Sequence, residues 1–132
     1  MKLSQATEYA VFGLVALEKP GIHTVPVIAE RLKISQIFLS KIFQKLKKKG
    51  LLSSQQGKGG GFSLPHALDQ ITLLSVIEAI EGPISVRKCI TNSKACSGRL
   101  GKPDCCKLKT ALGDAQQGMI QALEQTKLST LV

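Results

Sequence analysis

Apolar residues recur at helical spacing in five stretches of this 132-residue chain, and a glycine-rich interruption separates the third from the fourth. Leu3, Ala6, Ala10, Leu14 and Leu17 fall along one side of a first helix predicted over Ser4 to Leu17, which Lys19-Pro20-Gly21 cannot continue. Thr24 is placed to cap a second helix that tolerates Pro26 in its first turn and turns Val27, Ile28 and Leu32 inward. A third helix begins at Ser35, whose hydroxyl can cap the free amides, while Ile34 staples against Leu39 across the first turn. From there Leu39, Ile42, Phe43 and Leu46 face a core, and Gln36, Ser40, Lys41, Gln44 and Lys45 fall on the outer side. Leu51 to Gln55 and Phe62 to Leu64 then pair as short strands around Gly57-Lys58-Gly59-Gly60-Gly61, whose glycines reach positive φ without steric cost.

The staple-and-cap signal returns at Ile71-Thr72, which opens a helix carrying Leu73, Leu74, Val76, Ile77 and Ile80 and ending at Gly82-Pro83. Residues 84–102 show no clear periodicity and form a loop long enough to imply a function. Pro103-Asp104 opens a last helix in which Leu108, Leu112, Ala115, Met119 and Ala122 make a narrow seam of the coiled-coil type. Ala111, Gly113, Ala115 and Gly118 suit close approach of a second copy, and glycine in a helix costs about 1 kcal/mol unless packing returns it. The expected fold is mainly α with a small β-hairpin wing, a winged helix-turn-helix with a long C-terminal dimerisation helix. Three regions follow: a DNA-binding domain over 1–82, a cysteine-bearing loop over 83–103, and a dimerisation helix and tail over 104–132.

Charge turns this architecture toward nucleic acid. Between Arg31 and Lys58 lie Arg31, Lys33, Lys41, Lys45, Lys47, Lys48, Lys49 and Lys58 with no acid, so this stretch alone contributes +8 of the formal +9. A field of one sign repels itself and gains no packing, and a polyanion is its natural partner. Phosphate neutralisation supplies affinity, and Gln36, Ser40 and Gln44 are polar side chains suited to base edges. With no Trp, one Tyr and four Phe, the chain lacks the exposed rings of a single-strand stacking platform, so duplex DNA is the expected partner. A two-fold dimer would present two wings to a palindromic operator. The N-terminal apolar run is broken by Glu8 and is too short to span a bilayer, which gives a cytoplasmic expectation with reduced thiols and no membrane partner.

Those thiols are Cys89, Cys96, Cys105 and Cys106, four within eighteen residues and none elsewhere. Such clustering in a reduced compartment points to metal or redox chemistry rather than a disulfide framework. The spacing matches neither a C-x2-C zinc ribbon nor a compact ferredoxin run, so it leaves an iron-sulfur cluster, zinc and inert thiols all open. Arg87, Lys88, Lys94, Arg99, Lys102, Lys107 and Lys109 surround the thiols and would favour thiolates and offset an anionic cluster. The vicinal Cys105-Cys106 pair has no thioredoxin-like C-x-x-C pattern, and a thiol redox enzyme is not the expectation. Glu8, in the first turns of the first helix, suits the positive end of the helix dipole as well as a ligand role. His23 and His66 are read as solvated loop histidines.

Four phrases resemble the Rrf-two family of winged-helix repressors, which includes iron-sulfur regulators and nitric-oxide sensors. They are ATEYAVFGLVAL, ISQIFLSKIFQKLKKKGLLSSQQGKGGGFSL, ITLLSVIEAIEGP, and a cysteine loop running into a long helix, so the resemblance covers nearly the whole chain. It implies a dimer with crossed C-terminal helices, each protomer holding an iron-sulfur cluster, 2Fe-2S or 4Fe-4S, through three cysteines. Those positions correspond to Cys89, Cys96 and Cys106, with Cys105 the extra thiol. Lys109 stands where the family's iron-sulfur regulators carry a ligating histidine, whereas Glu8 matches the acid that the nitric-oxide sensors contribute from the partner protomer. Ser40 stands in place of a glutamate that discriminates operators in the iron-sulfur regulators, and Gln56-Gly57-Lys58 in place of the Arg-Gly-Pro of many relatives. Contact by the wing with the minor groove then falls to Lys58 or Gln56.

The resulting expectation is a DNA-binding transcriptional regulator, a repressor, whose operator affinity is set by the cluster. A zinc-bound or clusterless regulator of the same fold is the alternative.

Overall fold

The structure is a computed structural model and describes residues 2–86 and 107–132. Its elements are α1 (Gln5–Ala16), α2 (Val25–Leu32), α3 (Gln36–Lys48), β1 (Ser53–Gln55), β2 (Gly61–Ser63), a 3-10 turn (Leu68–Gln70), α4 (Leu73–Glu81), α5 (Lys107–Gln125) and a closing 3-10 turn (Leu128–Leu131). The order and type of helices match the sequence expectation; the first strand is two residues shorter than expected, and the second has the expected length but begins one residue earlier.

Local chemistry starts two of the helices. The Ser35 hydroxyl accepts from the Phe38 amide at 3.2 Å, and the Thr72 hydroxyl accepts from the Ser75 amide at 3.1 Å, so α3 and α4 open on side-chain caps. Thr24 precedes α2 as expected, but its hydroxyl makes no cap hydrogen bond. Gly82, at φ 82°, stops α4 in a conformation that an L side chain resists.

The core gathers Ala10, Leu14 and Leu17 of the first helix and its cap with Ile28 and Ala29 of α2, Leu39, Ile42, Phe43 and Leu46 of α3, and Val76, Ala79 and Ile80 of α4. α1 touches α2, α3 and α4. It approaches α3 closely at Gly13, where a Cβ would stand 2.7 Å from Cε1 of Phe43. Two expected core positions differ: Leu3 and Val27 are exposed, because each lies at a helix start beyond the edge of the buried stripe.

β1 and β2 pair antiparallel with Ser54 opposite Phe62, and a bridge from His23 joins the other edge of β2. The His23 amide donates to the Phe62 carbonyl at 2.8 Å, and the Phe62 amide donates back at 2.7 Å. His23 is therefore half-buried sheet backbone rather than a free loop residue, and its ring Nε2 lies 2.9 Å from the Lys19 carbonyl. Gly61 permits this approach, since a Cβ there would lie 2.4 Å from the His23 carbonyl oxygen.

α5 lies against α4, and Gln116 accepts from the Val86 amide at 2.9 Å. None of its residues is buried. The chain then returns to the body: the Leu73 amide donates to the Thr126 carbonyl at 2.8 Å, and the Leu128 amide donates to the Ile71 carbonyl at 2.9 Å. Leu128 is fully buried in the core. Among the described residues, no helix is long and apolar enough to cross a membrane.

Candidate nucleic-acid interface

α3 is amphipathic, with Leu39, Ile42, Phe43 and Leu46 buried on one side. At about 100° per residue, the opposite side collects Ile37, Ser40, Lys41, Gln44 and Lys48, which stand three, four, seven and eleven positions along from the first. Gln36 and Lys45 flank this stripe. Gln36, Lys41, Gln44 and Lys45 are exposed and Ser40 is half-exposed. The helix therefore presents the expected polar residues together, with its N-terminal turn held by the Ser35 cap.

Lys47, Lys48 and Lys49 close the helix and are also exposed. Cations at a helix C-terminus complement its dipole, so this run both stabilises α3 and extends the positive surface. Lys58 is exposed at the tip of the wing, where Gly57 and Gly59 take positive φ of 92° and 81°. Gly60 is tighter still, since a Cβ there would fall 2.2 Å from the Gln55 carbonyl oxygen. One cation of the basic stretch has a structural partner: the Arg31 guanidinium donates to the Ala16 carbonyl at 3.4 Å, at the negative end of α1.

Two apolar features of this face were not among the expected site residues. Ile37 is 73% exposed, and Phe38 is exposed at 37% with its ring edge-on to Tyr9 of α1 at 5.8 Å between centroids. Tyr9 accepts in turn from the Gln5 side-chain amide at 3.0 Å. The position of Ile37 opposite the buried stripe is enough to place it outward from sequence alone.

Away from this face, Glu8 is exposed on α1 and lines a cavity of about 460 Å³ with Leu3, Thr7, Val11, Phe12 and Leu73. Leu3 and Phe12 are large apolar side chains left 44% and 47% exposed beside it. Among the described residues, no three His, Cys, Asp or Glu gather as a metal site. Cys89, Cys96, Cys105 and Cys106 lie outside the described residues.

The chain matches the profile of the Rrf2 family, described as "Iron-dependent Transcriptional regulator", over residues 3–132. It is 35% identical to the putative HTH-type transcriptional regulator YffB of Lactococcus lactis, across 98% of this chain and 85% of that protein. It is 36% identical to the HTH-type transcriptional regulator IscR of Erwinia tasmaniensis, across 74% of this chain and 61% of that one. Among solved structures, CymR of B. subtilis, described as the global cysteine regulator, superposes with a TM-score of 0.73 at 23% identity, covering 99% of this chain and 95% of that one. T. potens IscR superposes with a TM-score of 0.71 at 22% identity, covering 99% and 85%. Both structures share the winged-helix fold of this chain. With the family profile matched over residues 3–132 and a basic, polar outer face on α3, the chain belongs to the Rrf2 family and is a DNA-binding transcriptional regulator.

Proposed function

We propose that the chain is a homodimeric, cytoplasmic repressor that binds a palindromic duplex operator, with an affinity set by an iron-sulfur cluster held in the segment between α4 and α5. The observation that carries the cluster is the gathering of all four thiols within eighteen residues of that segment, in a chain whose family is described as iron-dependent. Soft thiolates from Cys89, Cys96 and Cys106 suit iron, and the chemistry of the donor set fits the group. Glu8 would add a hard carboxylate from the partner protomer, which suits its exposure on α1. When bound, the cluster would supply an iron centre reactive toward a small signal molecule.

The remaining work falls to the protein. Gln36, Ser40 and Gln44 read base edges, Lys41 and Lys45 hold phosphates and set the register of α3, and Lys58 or Gln56 of the wing contacts the minor groove. Dimerisation is supported by two apolar surfaces left exposed or half-exposed among the described residues. One is Leu3 and Phe12 beside Glu8, and the other is the seam of α5, where Leu108 is 45% exposed and Leu112 and Met119 are only half-buried. A ligand shared between protomers would tie the state of the site to the spacing of two recognition helices, so that the signal selects between two conformers of different operator affinity.

The test is the iron and sulfide content and the visible absorption of protein prepared without oxygen. Serine at Cys89, Cys96 or Cys106 should abolish the chromophore, and serine at Cys105 should leave it. Glu8→Ala should retain the chromophore with an altered spectrum and a changed rate of loss to nitric oxide or oxygen. Stoichiometric zinc without iron, or a colourless metal-free protein that binds its operator, would sink the cluster reading.

A further inference from the structure

We propose that Ile37 is a base-reading residue that packs against the 5-methyl group of a thymine in the major groove. The inference rests on the reading of this chain as a sequence-specific duplex binder and adds to it an apolar component of recognition. Among the described residues, Ile37 is the most exposed large hydrophobic residue, at 73%. It lies in the first turn of α3, and the N-terminal residues of a recognition helix are those that approach base edges.

Its surroundings select the partner. Ile37 begins the stripe that continues through Ser40, Lys41, Gln44 and Lys48, so its side chain is flanked by hydroxyl, amide and ammonium groups with no acid on the helix. An apolar protein surface docked here would desolvate those lysines without pairing them. A DNA groove pairs them with phosphates and also offers, on its floor, one apolar group of matching size, the thymine methyl. A β-branched residue suits that contact because its side chain has little rotamer freedom to lose in a helix. The same exposure means that Ile37 makes little of the core, so its replacement reports on recognition rather than folding.

The experiment uses the full chain, prepared without oxygen, to enrich a randomised duplex pool. The recovered duplex is remade with deoxyuridine replacing each thymidine in turn, which removes only the 5-methyl group. At one thymidine, or one symmetry-related pair, this replacement should weaken wild-type binding about fourfold per methyl. Ile37→Ser should bind the thymidine and deoxyuridine duplexes equally at that position, and Ile37→Val should keep part of the preference. Two results would overturn the proposal while leaving DNA recognition intact: wild type and Ile37→Ser responding alike to every deoxyuridine, or Ile37→Ser losing affinity for all duplexes together with a lowered melting temperature. A pool that yields no enriched sequence would overturn sequence-specific recognition itself, and this proposal with it.

Discussion

The carboxylate of Glu81, at the end of α4, accepts a hydrogen bond from the Thr7 hydroxyl at 2.9 Å across 74 positions of chain, and the same oxygen accepts from the Ser4 amide. Ser4 occupies the N-cap of α1 but makes no side-chain cap; its own amide is instead taken up by Glu81 from another helix. The Ser4 backbone hydrogen bond, ahead of the Thr7 hydroxyl, holds the Glu81 carboxyl below its ordinary value. One acid thereby fastens the first helix to the fourth, and Thr7 is buried where they meet.

A depressed folded-state value means that the Glu81 contribution is present above the unfolded pKa and fades as pH falls through the lower folded one. Glu81→Gln should lower stability at neutral pH by on the order of 1 kcal/mol, the worth of a hydrogen bond at a largely solvated site. Thermal midpoints of both proteins followed from neutrality into acid should converge. A gap independent of pH would show that shape rather than charge holds α1.

Leu128 carries the chain end into the core, where it is fully buried beside the start of α4. Leu128→Ala should destabilise by about 2 to 5 kcal/mol, the range for truncating a buried leucine. Denaturant unfolding measures this directly. A destabilisation below about 1 kcal/mol would mean that the tail detaches in solution.

Lys41 and Lys45 stand exposed on the outer side of α3. Alanine at either should weaken binding to every duplex and reduce the salt slope by about 0.9 for each phosphate that is no longer neutralised. Alanine at Gln36, Ser40 or Gln44 should instead cost roughly 1 to 3 kcal/mol on the operator and little on random DNA. Fluorescence anisotropy titrations across a salt series separate the two classes, and equal effects on both duplexes would move a residue from reading to positioning.

The α5 seam leaves Leu112 and Met119 half-buried within one chain. If a second copy covers them, Leu112→Asp and Met119→Asp strand an unpaired charge in the interface, and sedimentation should show monomer. Dimers that persist in both variants would place the interface elsewhere.

The elements legible in the sequence are those whose causes lie within a few residues of one another. Ser35 caps Phe38 and Thr72 caps Ser75 three positions on, Gly82 ends α4 by its own φ, and the wing glycines turn where the chain must turn. The buried stripe of α3 and the polar and basic residues opposite it follow from helical period alone, which places Ile37 outward as well, an apolar position within a polar stripe. Periodicity assigns apolar residues to the core, and only the packed structure decides which ones find room there. Thus Leu3 and Val27 face outward while Leu128, beyond the last long helix, is fully buried in the core. Contacts made across the chain carry no local signal: Glu81 accepting from the Ser4 amide, His23 completing the sheet edge against Phe62, and Thr126 pairing with Leu73. Each pairs a polar group with whichever donor or acceptor the folded chain brings alongside. Hydrogen bonding must be satisfied in the native state, but its partners are chosen by tertiary proximity, which spacing along the chain does not encode.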